Sequence, residues 1–162
     1  FVSCRYVFVY ILGGDKKLHS AIKTWAIRNE LIVVTIPYAS GEYNTIDSKF
    51  GDIQIPDCSP ENWIWLIHHA EYVITDSFHG TAFSTIFEKK FVVLERKADV
   101  NINNRMIDYL KTIHQPDKMI PYSTLDSIAN MEWDYNSINS ILSEKRVSSE
   151  AFLRNALFDE SV

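Results

Sequence analysis

The hydrophobic positions fall into blocks of two kinds. YVFVYIL at 6–12 is a continuous apolar run, rich in β-branched and aromatic residues, and it ends at Gly13-Gly14. Such a run marks a strand buried on both faces of a parallel sheet. Over Lys16–Asn29 the pattern changes, and Leu18, Ile22, Trp25 and Ala26 recur at steps of three and four, the spacing of one helix face. LIVVTIP at 31–37 returns to the continuous type. Strand, helix and strand within about thirty residues predict a right-handed βαβ unit.

A polar stretch from Tyr38 to Gly51 reads as a loop or irregular connection. Ser59-Pro60 then predicts a helix start, because proline at the first helical position gives up an N–H that has no intrahelical partner. That helix is expected over Pro60–Ala70, followed by a strand YVITD at 72–76. SFHGTAFSTIFEKK at 77–90 reads as a helix with Phe83, Ile86 and Phe87 turned inward, and FVVLE at 91–95 as the next strand. Further helices are expected around Asn104–Ile113 and Tyr135–Leu157, separated by a connection that holds Pro116 and Pro121. The alternation predicts an α/β, Rossmann-like three-layer domain with a mostly parallel sheet. Residues 1–162 read as one domain, with a core over about 5–115 and a C-terminal helical segment over about 135–158.

Composition narrows the function classes. The 162 residues are 46% hydrophobic, with 16 Lys+Arg against 21 Asp+Glu for a net charge of −5. An acidic balance argues against a nucleic-acid or anionic-membrane partner, which needs clustered Lys and Arg, so an anionic ligand must meet a local basic site. Cys4 and Cys58 form no disulfide framework, and His68-His69, His19 and His114 have no metal-ligand spacing. No apolar run approaches the ~20 residues of a membrane helix, and a cytoplasmic location is expected. Because the chain opens inside a predicted strand, it is expected to be part of a longer protein.

The segment Thr75-Asp76-Ser77-Phe78-His79-Gly80-Thr81 lies where a predicted strand hands over to a helix. In open α/β sheets ligands collect at the carboxyl ends of strands, beside helix N-termini whose free N–H groups favour anions. His79 reads either as a proton donor or phosphate ligand, or as a brace for the turn. Asp76 and Ser77 are also ordinary N-cap residues. A Ser-His-Asp triad is not expected, since residues two apart in one helical turn point to different faces and no G-x-S-x-G occurs. Gly13-Gly14 would line the same sheet edge but forms no GxGxxG. Arg96 follows a strand and Arg105 opens a helix, so each is either a carboxylate or phosphate clamp or a surface charge. Lys89, Lys90 and Lys97 read as surface charges. Trp63 and Trp65, two apart in one helix, face differently, and at least one should be core.

The stretch from Ser59-Pro60-Glu61-Asn62-Trp63 through AEYVITDSFHGTAFSTIFEKKFVVL to Asn104-Arg105 resembles the C-terminal part of polysaccharide pyruvyl transferases, over roughly residues 50 to 113. Its most specific piece is T-D-S-F-H-G-T-x-F-S between a strand and a helix. The resemblance implies one half of a fold similar to GT-B glycosyltransferases, with an N-terminal domain missing and the active site between the halves. It implies transfer of the enolpyruvyl skeleton of phosphoenolpyruvate to two hydroxyls of a saccharide or lipid-linked saccharide, in cell-surface or exopolysaccharide biosynthesis, with no cofactor beyond the donor. By the same resemblance His79 is the general acid or donor-binding group, and Asp76, Ser77, Phe78, Gly80 and Thr81 shape the turn. Gly13 and Gly14 join them as substrate-binding candidates, and Arg96 and Arg105 are candidates for the donor carboxylate and phosphate. A nucleotide-sugar glycosyltransferase domain and a non-catalytic binding module are the alternatives. Trp133, Phe152, Leu153 and Phe158 are expected to meet a missing domain or a second copy of the chain.

Overall fold

The structure, a computed structural model, describes residues 2–12, 14–37, 49–96 and 100–158, with the backbone alone at 100–102. Gly13, Lys97 and the connection expected over most of 38–51 lie outside the described residues. In chain order the elements are β1 (Tyr6–Tyr10), α1 (Lys16–Arg28), β2 (Ile32–Thr35), β3 (Ile53–Gln54), α2 (Pro60–His69) and β4 (Tyr72–Thr75). They continue with α3 (Phe78–Ile86), β5 (Lys90–Leu94), α4 (Val100–Thr112), β6 (Met119–Ile120) and α5 (Tyr135–Phe158). Every expected strand and helix is present. The two-residue strands β3 and β6 carry too short a pattern to read, and β6 lies inside the expected connection between Pro116 and Pro121.

The sheet runs β3-β2-β1-β4-β5-β6, and all five pairings are parallel. This is the Rossmann strand order, with a switch between β1 and β4 where the chain changes its direction of travel across the sheet. Alternation along each strand divides the core. Val7 and Val9 join Leu18, Ile22, Trp25 and Ala26 of α1, together with Leu125 and Ile128 of a 3-10 segment over Tyr122–Asn130. Tyr6 and Phe8 face the other way, into Leu66 and Ile67 of α2, Met106, Leu110 and Ile113 of α4, and Ile138 of α5. Each of these fully buried side chains contributes about 1.5–3 kcal/mol of transfer free energy, so α1 and α4 are anchored far more firmly than α5, which buries Ile138 alone.

Three sequence expectations need correction. Helix α3 does not turn Ile86 inward; that side chain is 58% exposed, and the buried face is Gly80, Thr81, Ser84 and Thr85. Three of these are hydroxyl residues that donate to carbonyls four positions back, Thr81 to Ser77 at 2.9 Å, Ser84 to Gly80 at 2.7 Å and Thr85 to Thr81 at 3.0 Å. A small polar face is thereby buried without unpaired groups. Lys89 is not a free surface charge, since its ammonium donates to the His68 and Ala70 carbonyls at the end of α2. Trp133 packs on this domain, donating to the Phe91 carbonyl at 3.1 Å with the Lys118 ammonium 5.1 Å from its ring centre. Phe152, Leu153 and Phe158 are exposed on α5.

Helices α1, α3 and α4 each end on a left-handed residue that is not glycine: Glu30 (φ 56°), Glu88 (φ 54°) and His114 (φ 57°). The next N–H in each case reaches back five residues, as Gln115 does to the Leu110 carbonyl at 2.8 Å. This is the Schellman closure, which glycine adopts without strain. His114→Gly is therefore expected to raise unfolding stability by about 0.5–1 kcal/mol in urea melts. A second expectation concerns pH. The Tyr6 phenol donates to the Leu66 carbonyl at 2.8 Å, and burial pushes its pKa well above the ordinary value; Tyr135 behaves alike through the Lys89 carbonyl. A raised phenol pKa leaves stability complete below about pH 10 and removes it as pH rises further, at about 1.4 kcal/mol per pH unit for each such group. Tyr6→Phe should make the alkaline limb of the stability curve shallower.

Candidate functional site

At the switch between β1 and β4 the two strand ends are stitched by side chains. The Thr75 hydroxyl donates to the Tyr10 carbonyl at 2.6 Å and accepts from the Ser77 N–H at 3.1 Å. One residue on, the Asp76 carboxylate accepts the Leu12 N–H at 2.7 Å. The same carboxylate takes a two-pronged ion pair from Arg96, Nε at 2.9 Å and Nη2 at 3.2 Å. The Asp76 side chain is 4% exposed and that of Arg96 19%. Asn103 of α4 holds the Arg96 backbone from both sides, accepting its N–H at 3.2 Å and donating to its carbonyl at 2.9 Å. The loops after β1, β4 and β5 thus meet on one carboxylate.

Ser77, not Asp76, caps α3, its hydroxyl facing the Gly80 N–H. Gly80 is required by packing, because a Cβ there would overlap the Thr75 hydroxyl. The helix sits directly on β4, and Thr81 is buried in its own back-bond. His79, in the first turn, is exposed, while Phe78 is half-buried beneath the Arg105 guanidinium, 5.4 Å from its ring centre. The structure therefore gathers Asp76, Ser77, Phe78, His79, Gly80, Arg96 and Arg105 around the start of α3. It gives Asp76, Ser77, Gly80 and Thr81 framework contacts. Gly14 is placed against His19 at the start of α1, where a Cβ would come within 2.8 Å of the imidazole.

A cleft of about 370 Å³ opens beside His79, lined also by Tyr10, Ile36, Cys58, Pro60 and Trp63. Sequence reasoning did not place these five residues in the site. The available signal was positional: Tyr10 ends β1, Ile36 follows β2, and Cys58 and Pro60 bracket the cap of α2. Tyr10 and Trp63 meet edge to face, with ring centres 5.4 Å apart. Burial, then the nearby Asp76 carboxylate, pushes the Tyr10 phenol up, and burial pushes the Cys58 thiol up. Neither is an anionic nucleophile near neutral pH. A larger groove of about 500 Å³ between α1 and the 122–130 segment, lined in part by Lys16, Lys17, Arg28 and Asp126, lies apart from these groups. Among the described residues no cluster of His, Cys, Asp and Glu could hold a metal ion, and no helix is long and apolar enough to cross a membrane.

A family model described as Polysaccharide pyruvyl transferase matches residues 4–97, more than half of the 162. The chain belongs to that family. No curated protein and no solved structure matches it. The match begins ahead of β1, earlier than the resemblance seen in the sequence, and ends before α4. It therefore takes in Tyr10, Trp63, the 75–81 turn and Arg96, whereas Arg105 is tied to the family member's site by its stacking on Phe78 alone.

The Asp76–Arg96 pair sets an expectation for stability. Removing one partner of a buried pair leaves the other charge uncompensated. Asp76→Ala should cost about 3 kcal/mol in denaturant unfolding, while Asn103→Ala, which loses only neutral hydrogen bonds, should cost about 1–2 kcal/mol.

Proposed function

We propose that this family member carries the donor-side machinery for moving the enolpyruvyl skeleton of phosphoenolpyruvate onto two hydroxyls of a saccharide. The observation that carries the reading is the exposed His79 imidazole in the first turn of α3, lining the cleft while its neighbour Phe78 carries Arg105. The α3 N-terminus offers N–H groups that the helix does not use, a setting that favours an anion. Arg96 is held close by, with two guanidinium nitrogens on Asp76 and Nη1 left over from that fork.

The chemistry balances on these groups. The donor methylene carbon takes a proton and becomes a methyl group, and a sugar hydroxyl attacks the cationic carbon that results. The ester C–O bond then breaks, a second hydroxyl closes the ketal, and inorganic phosphate leaves. One hydroxyl proton replaces the one spent on the methylene and the other departs with phosphate. In this reading His79 holds and delivers the proton, and the arginines stabilise carboxylate and phosphate charge. Asp76 would act through Arg96, as a positioning residue. Release of phosphate and formation of an acidic ketal fit a place in cell-surface or exopolysaccharide assembly.

The test is a titration with phosphoenolpyruvate followed by imidazole NMR, with uridine diphosphate as control and His79→Ala to assign the signal. A saturable shift of the His79 resonance by phosphoenolpyruvate alone is expected. A response to uridine diphosphate instead would favour a nucleotide-sugar donor. In an assay of ketal synthesis, His79→Ala is expected to lower ketal formation about a hundredfold or more; unchanged synthesis would leave His79 a structural brace.

A further inference from the structure

The cleft beside His79 has two chemically different sides. The α2 side is closed to anions. Pro60 has no N–H, the Asn62 N–H donates to the Ser59 hydroxyl at 3.3 Å, and the Trp63 N–H donates to the Ser59 carbonyl at 2.9 Å. The Glu61 N–H is met by its own side chain, which lowers that carboxyl's pKa. A helix N-terminus that would otherwise attract a phosphate is thus fully used, and it carries a negative charge in its first turn. Among the described residues lining the cleft, none is an acid, a lysine or an arginine. The guanidinium groups are held at the start of α3, on Asp76 and over Phe78, and the Asp76–Arg96 pair borders the cleft at Tyr10, where its two charges act on the phenol in opposite directions.

What the cleft does offer is an aromatic corner with an unused hydroxyl. Tyr10 and Trp63 stand edge to face, and Ile36 and Pro60 add apolar surface. The Tyr10 phenol, half-buried, has no hydrogen-bond partner among the described residues. A phenol left free at a cleft wall can both donate to and accept from a molecule that enters it. A pyranose ring has the matching chemistry: weakly positive C–H groups on one face for the negative faces of aromatic rings, hydroxyls at its rim, and no charge.

We infer that the Tyr10–Trp63 cleft is the acceptor subsite, holding a neutral sugar ring against the aromatic corner, while the anionic donor lies on the arginine side of His79. This rests on the pyruvyl transfer reading for its use of a saccharide. It divides the crevice so that the imidazole stands between a neutral half and a cationic half, and the sugar hydroxyls meet the donor carbon at His79.

Cys58 lies in the cleft and reports its occupancy. In a Cys4→Ser background, which removes the other, exposed thiol, the rate of Cys58 alkylation by iodoacetamide at alkaline pH is measured against methyl glucoside, methyl galactoside and methyl mannoside. Phosphoenolpyruvate and uridine diphosphate are run in parallel. Saturable protection by at least one glycoside is expected, about tenfold at ten times its Kd because only the free fraction reacts, with none from phosphoenolpyruvate. Tyr10→Phe should weaken that protection and leave the phosphoenolpyruvate shift of His79 unchanged. Protection by phosphoenolpyruvate or uridine diphosphate, or none by any glycoside, overturns the assignment. Failure of the pyruvyl transfer reading itself appears separately, as a His79 resonance that ignores phosphoenolpyruvate whatever Cys58 does.

Discussion

A carboxylate almost sealed from water beside the middle strands of a parallel sheet must be met by donors, since leaving the charge bare costs several kcal/mol. Asp76 is in that position, and among the described residues the donors that meet it come from two other loops. The Leu12 amide ties in the end of β1, and Arg96 ties in the exit of β5. The need to compensate one buried charge therefore draws together three loops that sequence separates by 64 and 20 residues. It also fixes which face of the Arg96 guanidinium remains for a ligand, because Nε and Nη2 are both committed.

The same economy of space explains α3. A helix that must begin at the switch point and lie directly on β4 cannot present large apolar side chains to the strand. Glycine at position 80 permits the close approach to Thr75, and Thr81, Ser84 and Thr85 silence their hydroxyls on the helix's own carbonyls. With the inner face filled by small groups, the aromatic residues of α3 go to its flank, where Phe83 meets Trp63 edge to face at 5.2 Å. That contact joins α3 to α2 and builds the wall of the cleft. His79 is turned to solvent as a consequence of what lies beneath it.

A chain with an acidic balance can offer an anion only locally placed positive charge. Here the placement is asymmetric. The start of α2 has spent its donors on Ser59 and Glu61, whereas the start of α3 has two arginines within reach and an imidazole in its first turn. Two helix N-termini at one sheet edge thus differ in what they can bind, and the difference comes from a proline, a serine and a glutamate within three positions.

Much of this was legible in the sequence because it is local. Continuous apolar runs marked β1, β2, β4 and β5, helical spacing marked α1, and the Ser59-Pro60 start of α2 was recognisable from capping chemistry alone. The T-D-S-F-H-G-T run identified the turn and the family. The strands β3 and β6 escaped because two residues carry no period, and the inward face of α3 was misread because hydroxyls can be buried when the backbone accepts them. The partners in the site belong to a different order of information. That Asp76 spends its charge on Arg96, that Tyr10 meets Trp63 across the strand edge, and that Ser59 and Glu61 close one helix end while its neighbour stays open all depend on loops converging at the switch between β1 and β4. The chain by itself determined the elements and the residues able to do chemistry; only the tertiary structure decided which of them are spent on each other and which are left for a ligand, because pairing depends on distance in space, and sequence period reports only neighbours along the chain.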